Sequence, residues 1–216
     1  MRDLGQHRGG AGRAGSLRTT ARETLALAVE RHHPSLVLAC SFQKEESVLI
    51  DLLTQIEPAA RVFTIDTGVL FSETYATWRE LEDRYGLAVE VMDATPPNGT
   101  PWSAGSCCGD RKVEALGQAL AGNDAWITGI RREQSPTRAG AQSVEWDGAR
   151  GVWKFNPLVS WTEDDVWAYV REHDLPYNTL HDNGYSSIGC APCTLPGNGR
   201  EGRWAGQDKT ECGLHA

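Results

Sequence analysis

The sequence predicts an α/β protein built on a twisted, mainly parallel sheet that is flanked by helices. Short apolar runs typical of buried strands alternate along the chain with segments whose apolar residues recur at helical spacing. The chain has 216 residues, of which 40% are hydrophobic, enough for a full core in one domain. Ligands of such sheets bind at the carboxyl ends of the strands, so we expect the functional site there.

The first predicted elements follow a leader. Residues 1–19 are rich in Gly and Arg and lack periodicity, so we expect this segment to be disordered. Thr20 and Glu23 have the spacing of a capping box for the helix "RETLALAVERHH". Next come a strand ("SLVLAC", 35–40), a helix that ends at Pro58 ("SFQKEESVLIDLLTQIEP", 41–58) and a strand ("RVFTID", 61–66).

The second half continues the alternation. Gly86 is a typical C-terminal cap for the helix "SETYATWRELEDRYG". "LAVEVM" and "AWITGI" predict further strands, and Thr162 and Asp165 form another capping box for a helix that ends before Pro176. We therefore expect an α/β domain over residues 20–178. Residues 179–216 are rich in Gly, Pro and Cys, and we expect no regular core element there.

The charge distribution indicates a small anionic ligand. A net charge of −8 argues against general nucleic-acid binding. No apolar run is long enough to span a membrane and no signal peptide opens the chain, so we expect a cytoplasmic protein. The basic residues are nevertheless grouped, at Arg111 and Lys112, at Arg131 and Arg132, at Arg138, and at Arg200 and Arg203.

The cysteine spacing predicts a metal site. Without a secretory signal a disulfide framework is disfavoured. A vicinal pair, "SCCGDRK", and a C-x-x-C, "GCAPCT", supply four thiols. Adjacent side chains splay apart, which suits the wide corners of a 4Fe–4S cluster better than the tight tetrahedron of one structural zinc ion, the alternative. The six cysteines are Cys40, Cys107, Cys108, Cys190, Cys193 and Cys212.

Two bases follow the vicinal pair at helical spacing. Arg111 is four residues after Cys107, and Lys112 is four after Cys108, so a helix would place each base beside a thiolate; a solvated helix face is the alternative. Cys40 ends a predicted core strand and reads as a small buried hydrophobe. Cys212 is then left without a partner.

These motifs resemble those of the assimilatory adenylyl-sulfate and phosphoadenylyl-sulfate reductases. "CCGDRK", "GCAPC" and "ECGLH" carry the resemblance, and "IDTGVLF", "TGIRREQSPTR" and "NPLVSWTEDDVWAY" agree with it, over residues 35–215. The resemblance implies an adenine-nucleotide α-hydrolase-like fold of the PP-loop type. It also implies reduction of adenylyl sulfate to sulfite and AMP in sulfate assimilation and cysteine biosynthesis, with thioredoxin or glutaredoxin as thiol donor.

The resemblance also assigns roles to residues. One 4Fe–4S cluster per chain is held by Cys107, Cys108, Cys190 and Cys193, and Cys212 is the nucleophile. Residues 20–178 then form the nucleotide-binding domain, and residues 179–216 form a cluster-completing loop and a mobile catalytic tail. The expected substrate-binding residues are Ser41, Asp66, Lys112, Gly129, Arg138, Arg200 and Arg203.

Several of these residues have a second interpretation. Ser41 is also a plausible helix N-cap, Asp66 a residue that orders the "DTG" turn, and His215 either an assistant to Cys212 or an exposed tail residue. The loop "SFQKEES" stands where a glycine-rich pyrophosphate loop is expected but has no glycine. Four tryptophans read as core rather than base-stacking residues: Trp126, Trp153, Trp161 and Trp167.

Other functions stay open. Phosphoadenylyl sulfate is the alternative substrate, with Lys44, Arg131 and Arg132 as the cations available for its 3′-phosphate. An ATP pyrophosphatase of the same fold would use a glycine-rich SGGxDS loop, which is absent. A zinc-stapled nucleotide-binding module explains four cysteines but not Cys212. The oligomeric state cannot be read from the sequence.

Overall fold

The computed structural model describes residues 7–97, residues 110–204 and Leu214. The helices described are α1 (His7–His32), α2 (Lys44–Thr54), α3 (Ser72–Tyr85), α4 (Lys112–Leu120) and α5 (Glu163–Glu172). The strands described are β1 (Leu36–Ala39), β2 (Arg61–Asp66), β3 (Glu90–Asp93), β4 (Ala125–Ile127), β5 (Val144–Asp147) and β6 (Val152–Phe155). None of the helices in this part of the chain is both long and apolar enough to cross a membrane.

The six strands form one sheet in the order β3-β2-β1-β4-β6-β5. Five of them run parallel, and only the edge strand β5 is antiparallel to its neighbour β6. The chain leaves β1 toward β2 on one side and later returns to β4 on the other. This reversal creates a crevice at the carboxyl ends of β1 and β4, the position at which open α/β sheets bind ligands.

Helices cover both faces of the sheet, as the alternating pattern predicts. On one face α1, α2, α3 and α5 pack their apolar residues against the strands. On the other face α4 contributes Leu116, Ala119 and Leu120, which pack against Val37 and Trp126 of the sheet. The predicted mainly parallel, helix-flanked sheet is therefore confirmed.

The start of the chain differs from the prediction. Residues 7–19, expected to belong to a disordered leader, instead form the first half of α1. Arg18 forms an ion pair with Glu172 of α5, and the Leu17 carbonyl accepts a hydrogen bond from the Trp161 indole at 3.4 Å. These contacts use charge and backbone rather than an apolar stripe, so hydrophobic periodicity could not find them. Thr20 consequently lies inside the helix, where its hydroxyl donates to the Ser16 carbonyl, and caps nothing.

The caps predicted at Gly86 and Thr162 are confirmed, whereas α2 ends at Thr54 and not at Pro58. Gly86 follows α3 with φ of 64°, the left-handed conformation that a C-terminal glycine supplies. The Asp165 N–H donates to the Thr162 hydroxyl at 3.2 Å, and the Thr162 N–H donates back to the Asp165 carboxylate at 2.8 Å. This reciprocal pair satisfies two amide groups at the start of α5.

The hairpin β5–β6 is an element that the sequence analysis missed. Its signal was present, since "VEWD" and "VWKF" flank the short turn segment "GARG". One of the four tryptophans expected in the core belongs to it. Trp153 is 41% exposed and lies edge-on against Trp146, so the core prediction is wrong for this residue. Trp126 and Trp161 are buried, and Trp167 is partly buried.

Beyond residue 178 the described chain is irregular. Between 179 and 204 it forms short 3₁₀ helices at Thr179–Asn183 and Ala191–Cys193, joined by turns and isolated bridges. One bridge pairs Cys190 with Leu70, just after β2. The C-terminal segment is thus placed against the carboxyl ends of the strands.

Candidate active site

A cavity of about 420 Å³ lies at the carboxyl ends of β1 and β4. Its walls come from the loop after β1, the loop after β4, the start of α4 and the C-terminal segment. Six of the seven substrate-binding residues expected from the sequence line it, namely Ser41, Lys112, Gly129, Arg138, Arg200 and Arg203. These residues lie up to 162 positions apart in the chain. The change of direction between β1 and β4, in the middle of the sheet, brings them together.

The loop after β1 makes its turn without glycine. Phe42 has φ of 57°, the left-handed region that glycine normally occupies. Its side chain is fully buried and stacks on Trp78 with ring centroids 5.1 Å apart. Burial and stacking offset the conformational cost, which is of order 1–2 kcal/mol for a residue with a side chain. A glycine-based motif search would therefore miss this loop.

Gln43, and not Ser41, is the N-cap of α2. The Glu46 carboxylate accepts from the Gln43 N–H at 3.1 Å and from the Ser41 hydroxyl at 3.0 Å. The N-cap interpretation of Ser41 is wrong by two residues, because the turn at Phe42 delays the start of the helix. Ser41 is exposed at the cavity wall.

Two adjacent buried carboxylates on α2 differ in ionisation. Burial raises the pKa of Glu46 to about 7, and the neighbouring Glu45 charge adds to the effect. Burial also opposes ionisation of Glu45, but Lys44 and Arg131 outweigh it and lower the pKa of Glu45 to about 2. Gly129 lies against the Glu46 carboxylate and the Glu45 Cβ, so any side chain at this position would collide with them. Gly129 therefore has a packing role as well as a place in the cavity wall.

Arg131 is neutralised by three carboxylates. Its guanidinium is 3% exposed and contacts Glu45 at 2.9 Å, Glu133 at 3.1 Å and Glu163 at 2.5 Å. The neighbouring Arg132 is exposed and donates to the Ala141 carbonyl at 2.8 Å. Arg132 is not part of the described cavity lining.

Cations line the opposite wall. Arg203 donates to the Ile188 carbonyl at 3.1 Å, and its guanidinium lies 4.5 Å from the centroid of the Trp204 ring. Arg200 lies over the same ring at 5.4 Å. Arg138 lies on the other side, in the loop after β4, where it donates to Gln134. The buried indole of Trp204 thus supports two guanidinium groups beside the cavity, and such stacking suits arginine better than lysine.

Cys190 and Cys193 lie beside this wall. Both are buried, and they pack with Trp204, Val69 and Leu70. The Cys190 Sγ lies 3.2 Å from the Thr67 hydroxyl and 3.5 Å from the Lys112 ammonium. The sequence spacing paired Lys112 with Cys108, which lies outside the described residues; in the described chain the Lys112 ammonium contacts the Cys190 sulfur. Lys112 also lines the cavity, so one ammonium group reaches both the sulfur and the space for a ligand.

These surroundings fit a metal-bound thiolate. A buried thiolate needs compensating donors, and a hydroxyl and an ammonium group both approach the Cys190 sulfur. The other two expected ligands, Cys107 and Cys108, lie outside the described residues. Within the described ranges no three His, Cys, Asp or Glu side chains form a metal-binding group, as expected when half of a four-cysteine set falls outside them.

Leu214 marks the route of the C-terminal tail. Its side chain is partly buried, packs against the cluster that contains Cys190 and Trp204, and lines the cavity. Leu214 follows the expected nucleophile by two positions in "ECGLH". Cys212 itself and His215 lie outside the described residues.

Asp66 is the one expected substrate-binding residue that is not part of the described cavity lining. Its carboxylate accepts from the Gly68 N–H and from the Tyr75 hydroxyl, both at 2.8 Å. These are the contacts of a residue that orders the "DTG" turn, the alternative interpretation of Asp66. The turn leads into Thr67, which contacts Cys190, so Asp66 acts on the site through the backbone.

Thr67 and Gln43 are site residues that sequence reasoning missed. Thr67 contacts the Cys190 sulfur, and Gln43 accepts from the Ile188 N–H at 2.8 Å. Both lie at strand or helix ends in motifs already singled out, "IDTGVLF" and "SFQKEES". Position at a strand end was the available signal, but their partners lie more than 120 residues away and could not be paired with them.

Comparisons with known proteins agree with this site. Residues 35–196 match the model of the phosphoadenosine phosphosulfate reductase domain. The chain is 44% identical over 208 residues to adenosine 5′-phosphosulfate reductase 2 of Bacillus subtilis, covering 89% of this chain and 88% of that protein. It is 46% identical over 209 residues to phosphoadenosine 5′-phosphosulfate reductase of Gloeobacter violaceus, covering 89% and 87%.

The fold is also similar to a solved structure, the phosphoadenylyl-sulfate reductase of Candida auris in a phosphate complex. The two share 27% identity with a TM-score of 0.68, and the match covers 90% of this chain and 99% of that one.

Proposed function

Because the chain belongs to the phosphoadenosine phosphosulfate reductase domain family, we propose that it reduces adenylyl sulfate to sulfite and AMP. The observation that carries the proposal is the cavity itself. One wall presents Lys112, Arg200 and Arg203, Arg138 lies on the side of the loop after β4, and Leu214 of the tail contacts the same space. Several cationic side chains around one cavity suit a ligand with two adjacent anionic groups, a phosphate and a sulfate.

The first step is transfer of a sulfo group to Cys212. The Cys212 thiolate attacks the sulfur of adenylyl sulfate, an S–S bond forms, and the bond from sulfur to the bridging oxygen breaks. AMP leaves with the electron pair of that bond, and the tail carries Cys–S–SO₃⁻. The approach of one anion to another requires positioning and charge neutralisation, which Lys112 and the cavity arginines supply. The same cations would lower the pKa of the Cys212 thiol and enlarge its reactive fraction.

The second step requires a dithiol. A thiolate of thioredoxin or glutaredoxin attacks the Cys212 sulfur, sulfite leaves, and the two proteins are joined by a disulfide. The second thiol of the donor then releases Cys212 as a thiolate, so the donor supplies two electrons in all. A nucleophile near the chain terminus suits both steps, since it can serve a closed cavity and then a bulky protein partner. We place this reaction in the cytoplasm.

Four cysteines would hold a 4Fe–4S cluster: Cys107, Cys108, Cys190 and Cys193. When bound, the cluster supplies an organising and electrostatic anchor beside the cavity rather than electrons. Lys112 then balances thiolate charge on one side and substrate charge on the other. Residues 179–216 in this proposal complete the cluster site and carry the catalytic tail.

Adenylyl sulfate is preferred to its 3′-phosphorylated form because the cations available for a 3′-phosphate are occupied. Arg131 contacts three carboxylates, and Lys44 is 1% exposed with Glu163 at 3.0 Å. Arg132 lies outside the described cavity lining. A 3′-phosphate would meet carboxylates instead of donors at the α2 wall, and an unpaired, desolvated charge is costly.

Cys212→Ser tests the proposal. Wild type incubated with adenylyl sulfate and no reductant should yield a C-terminal peptide heavier by one sulfo group, and AMP should appear in equal amount. The variant should bind AMP with unchanged affinity, form no sulfonated peptide and release no sulfite. Turnover by the variant at the wild-type rate would contradict the role of Cys212, and absence of AMP release from wild type would contradict the reaction.

A further inference from the structure

The segment Ser186–Gly189 forms one wall of the cavity and leads directly into Cys190. Its backbone is bound to the start of α2 at two points. The Ile188 N–H donates to the Gln43 side-chain oxygen at 2.8 Å, and the Ser186 carbonyl accepts from the Lys44 ammonium at 3.2 Å. The loop after β1 therefore holds the chain that carries a predicted cluster ligand.

Lys44 stands at an unfavourable place for a lysine. It is the first residue of α2, where the helix dipole disfavours a cation, and it is 1% exposed. Burial of an ammonium group costs several kcal/mol unless other groups compensate it. Glu163 at 3.0 Å and Glu45 at 3.9 Å provide the opposite charge, and the Ser186 carbonyl takes a third direction. Helix formation does not call for this residue, whereas attachment of the Cys190 segment does.

The two sides of the attachment both face the cavity. Gln43 lines it from the α2 side, and Ser186 and Ile188 line it from the other. Arg203, from the opposite direction, donates to the Ile188 carbonyl at 3.1 Å. A ligand that contacts both walls favours the arrangement in which the segment lies against α2. The same arrangement sets the backbone position of Cys190, two residues after Ile188.

We propose that Gln43 and Lys44 are positioning residues that couple nucleotide binding to the geometry of Cys190. The inference rests on the proposed function, since it takes an adenine nucleotide as the occupant of the cavity. Coupling of this kind is reciprocal: the nucleotide orders the Cys190 segment, and an ordered segment binds the nucleotide more tightly. Lys44 and Gln43 act through the backbone of residues 186–188 and touch neither substrate sulfur nor metal.

Hydrogen exchange of the anaerobically purified full chain tests the coupling, with AMP as the probe. In wild type, saturating AMP should slow amide exchange in residues 186–190 by about fivefold or more. In Lys44→Met the slowing should fall below about twofold, although AMP still binds. Lys154→Met is the matched control, because Lys154 pairs with Glu145 on the β5–β6 hairpin and not with the Cys190 segment, and it should keep the wild-type response.

Gln43→Leu provides a second variant in case Lys44→Met does not fold. Gln55→Leu at the other end of α2 is its control, since Gln55 bonds Asp51 and Arg22 and lies away from the cavity. The rate of iron release to a chelator gives an independent readout: AMP should slow it in wild type and in both controls, and much less in the two test variants.

Two results would overturn the inference in different ways. If AMP slows exchange and iron release equally in wild type, Lys44→Met and Gln43→Leu, the coupling is wrong and the proposed function stands. If wild type does not bind AMP at all, the proposed function fails and the inference fails with it.

Discussion

Two arginines on opposite walls of the cavity show how differently one residue type can be used. Arg131, after β4, is buried among Glu45, Glu133 and Glu163. Arg203, in the C-terminal segment, contacts neutral groups in the described chain: the Ile188 carbonyl, the Ser187 hydroxyl and the Trp204 ring. The charge of Arg131 is balanced by carboxylates of the protein, whereas the charge of Arg203 is available to an anionic ligand.

Because the partners of these two arginines differ, a cavity with many charged residues can still have one cationic end. Glu45, Glu133, Glu163 and Arg131 all line it, and because three carboxylates surround one guanidinium, that side carries no net positive charge. The wall with Lys112, Arg200 and Arg203 adjoins Cys190 and Leu214. An anionic group in the cavity is therefore attracted to the wall that contains Lys112, Arg200 and Arg203.

Arg131→Met should have the largest effect, because it removes the buried cation that Glu45, Glu133 and Glu163 share. Removal of one partner from a buried ion network leaves uncompensated charge, so we expect a loss of about 3–5 kcal/mol in the free energy of unfolding. Urea denaturation followed by tryptophan fluorescence measures it. Arg132→Met, one residue along on the surface, is the control and should stay within about 0.5 kcal/mol of wild type. Equal stability of the two variants would refute the structural role of Arg131.

Arg203→Met should have the opposite signature, with stability nearly kept and catalysis lost. Loss of a cation that stabilises transferred negative charge is expected to lower kcat/KM for adenylyl sulfate about 100-fold, or roughly 2.7 kcal/mol. Steady-state sulfite release with excess reduced thioredoxin measures it. Arg22→Met on α1 serves as control, because its guanidinium bonds Gln55 far from the cavity. An Arg203→Met enzyme with wild-type kcat/KM would exclude this arginine from the reaction.

The preference between the two activated sulfates tests whether the Arg131 side of the cavity can bind a 3′-phosphate. If the Arg131 wall is neutralised, adenylyl sulfate should be preferred to phosphoadenylyl sulfate in kcat/KM by at least about tenfold, roughly 1.4 kcal/mol. Parallel assays with both nucleotides decide the point. Equal or reversed values would mean that the 3′-phosphate has a cationic partner, and Arg132 and Lys44 would be the next residues to substitute.

The smallest expected effect is a pH dependence of the free energy of unfolding, caused by the ionisation of Glu46. Its folded pKa of about 7 lies above the ordinary value of 4.5, so the folded state holds a proton that the unfolded state has lost. Stability should fall as pH rises from about 4.5 to about 7. Glu46→Gln removes this loss, and its advantage over wild type should grow by at least about 1 kcal/mol between pH 5 and pH 8. Denaturation curves at both pH values test this; an advantage that is independent of pH would contradict it.

Much of the fold and of the candidate site could be predicted because the signals are local. The apolar strands, the amphipathic faces and the caps at Gly86 and Thr162 depend on residues a few positions apart. The hairpin β5–β6 was missed although its signal is local, while the first half of α1 was missed because its anchors, Trp161 and Glu172, lie about 150 residues away. The cysteine motifs and "ECGLH" indicated the family because each places particular residue types within a few positions of one another.

Local sequence patterns therefore predicted the fold class and the family, and six of the seven substrate-binding residues expected from the sequence line the cavity. Which charges in that cavity are balanced by neighbouring groups depends on the folded arrangement. Arg131 and Arg203 look alike in the sequence, and so do Glu45 and Glu46, whose pKa values differ by several units. Burial and the positions of partners from other elements set those differences. Both depend on how the sheet crossover brings distant segments together, and no local pattern of residues records that arrangement.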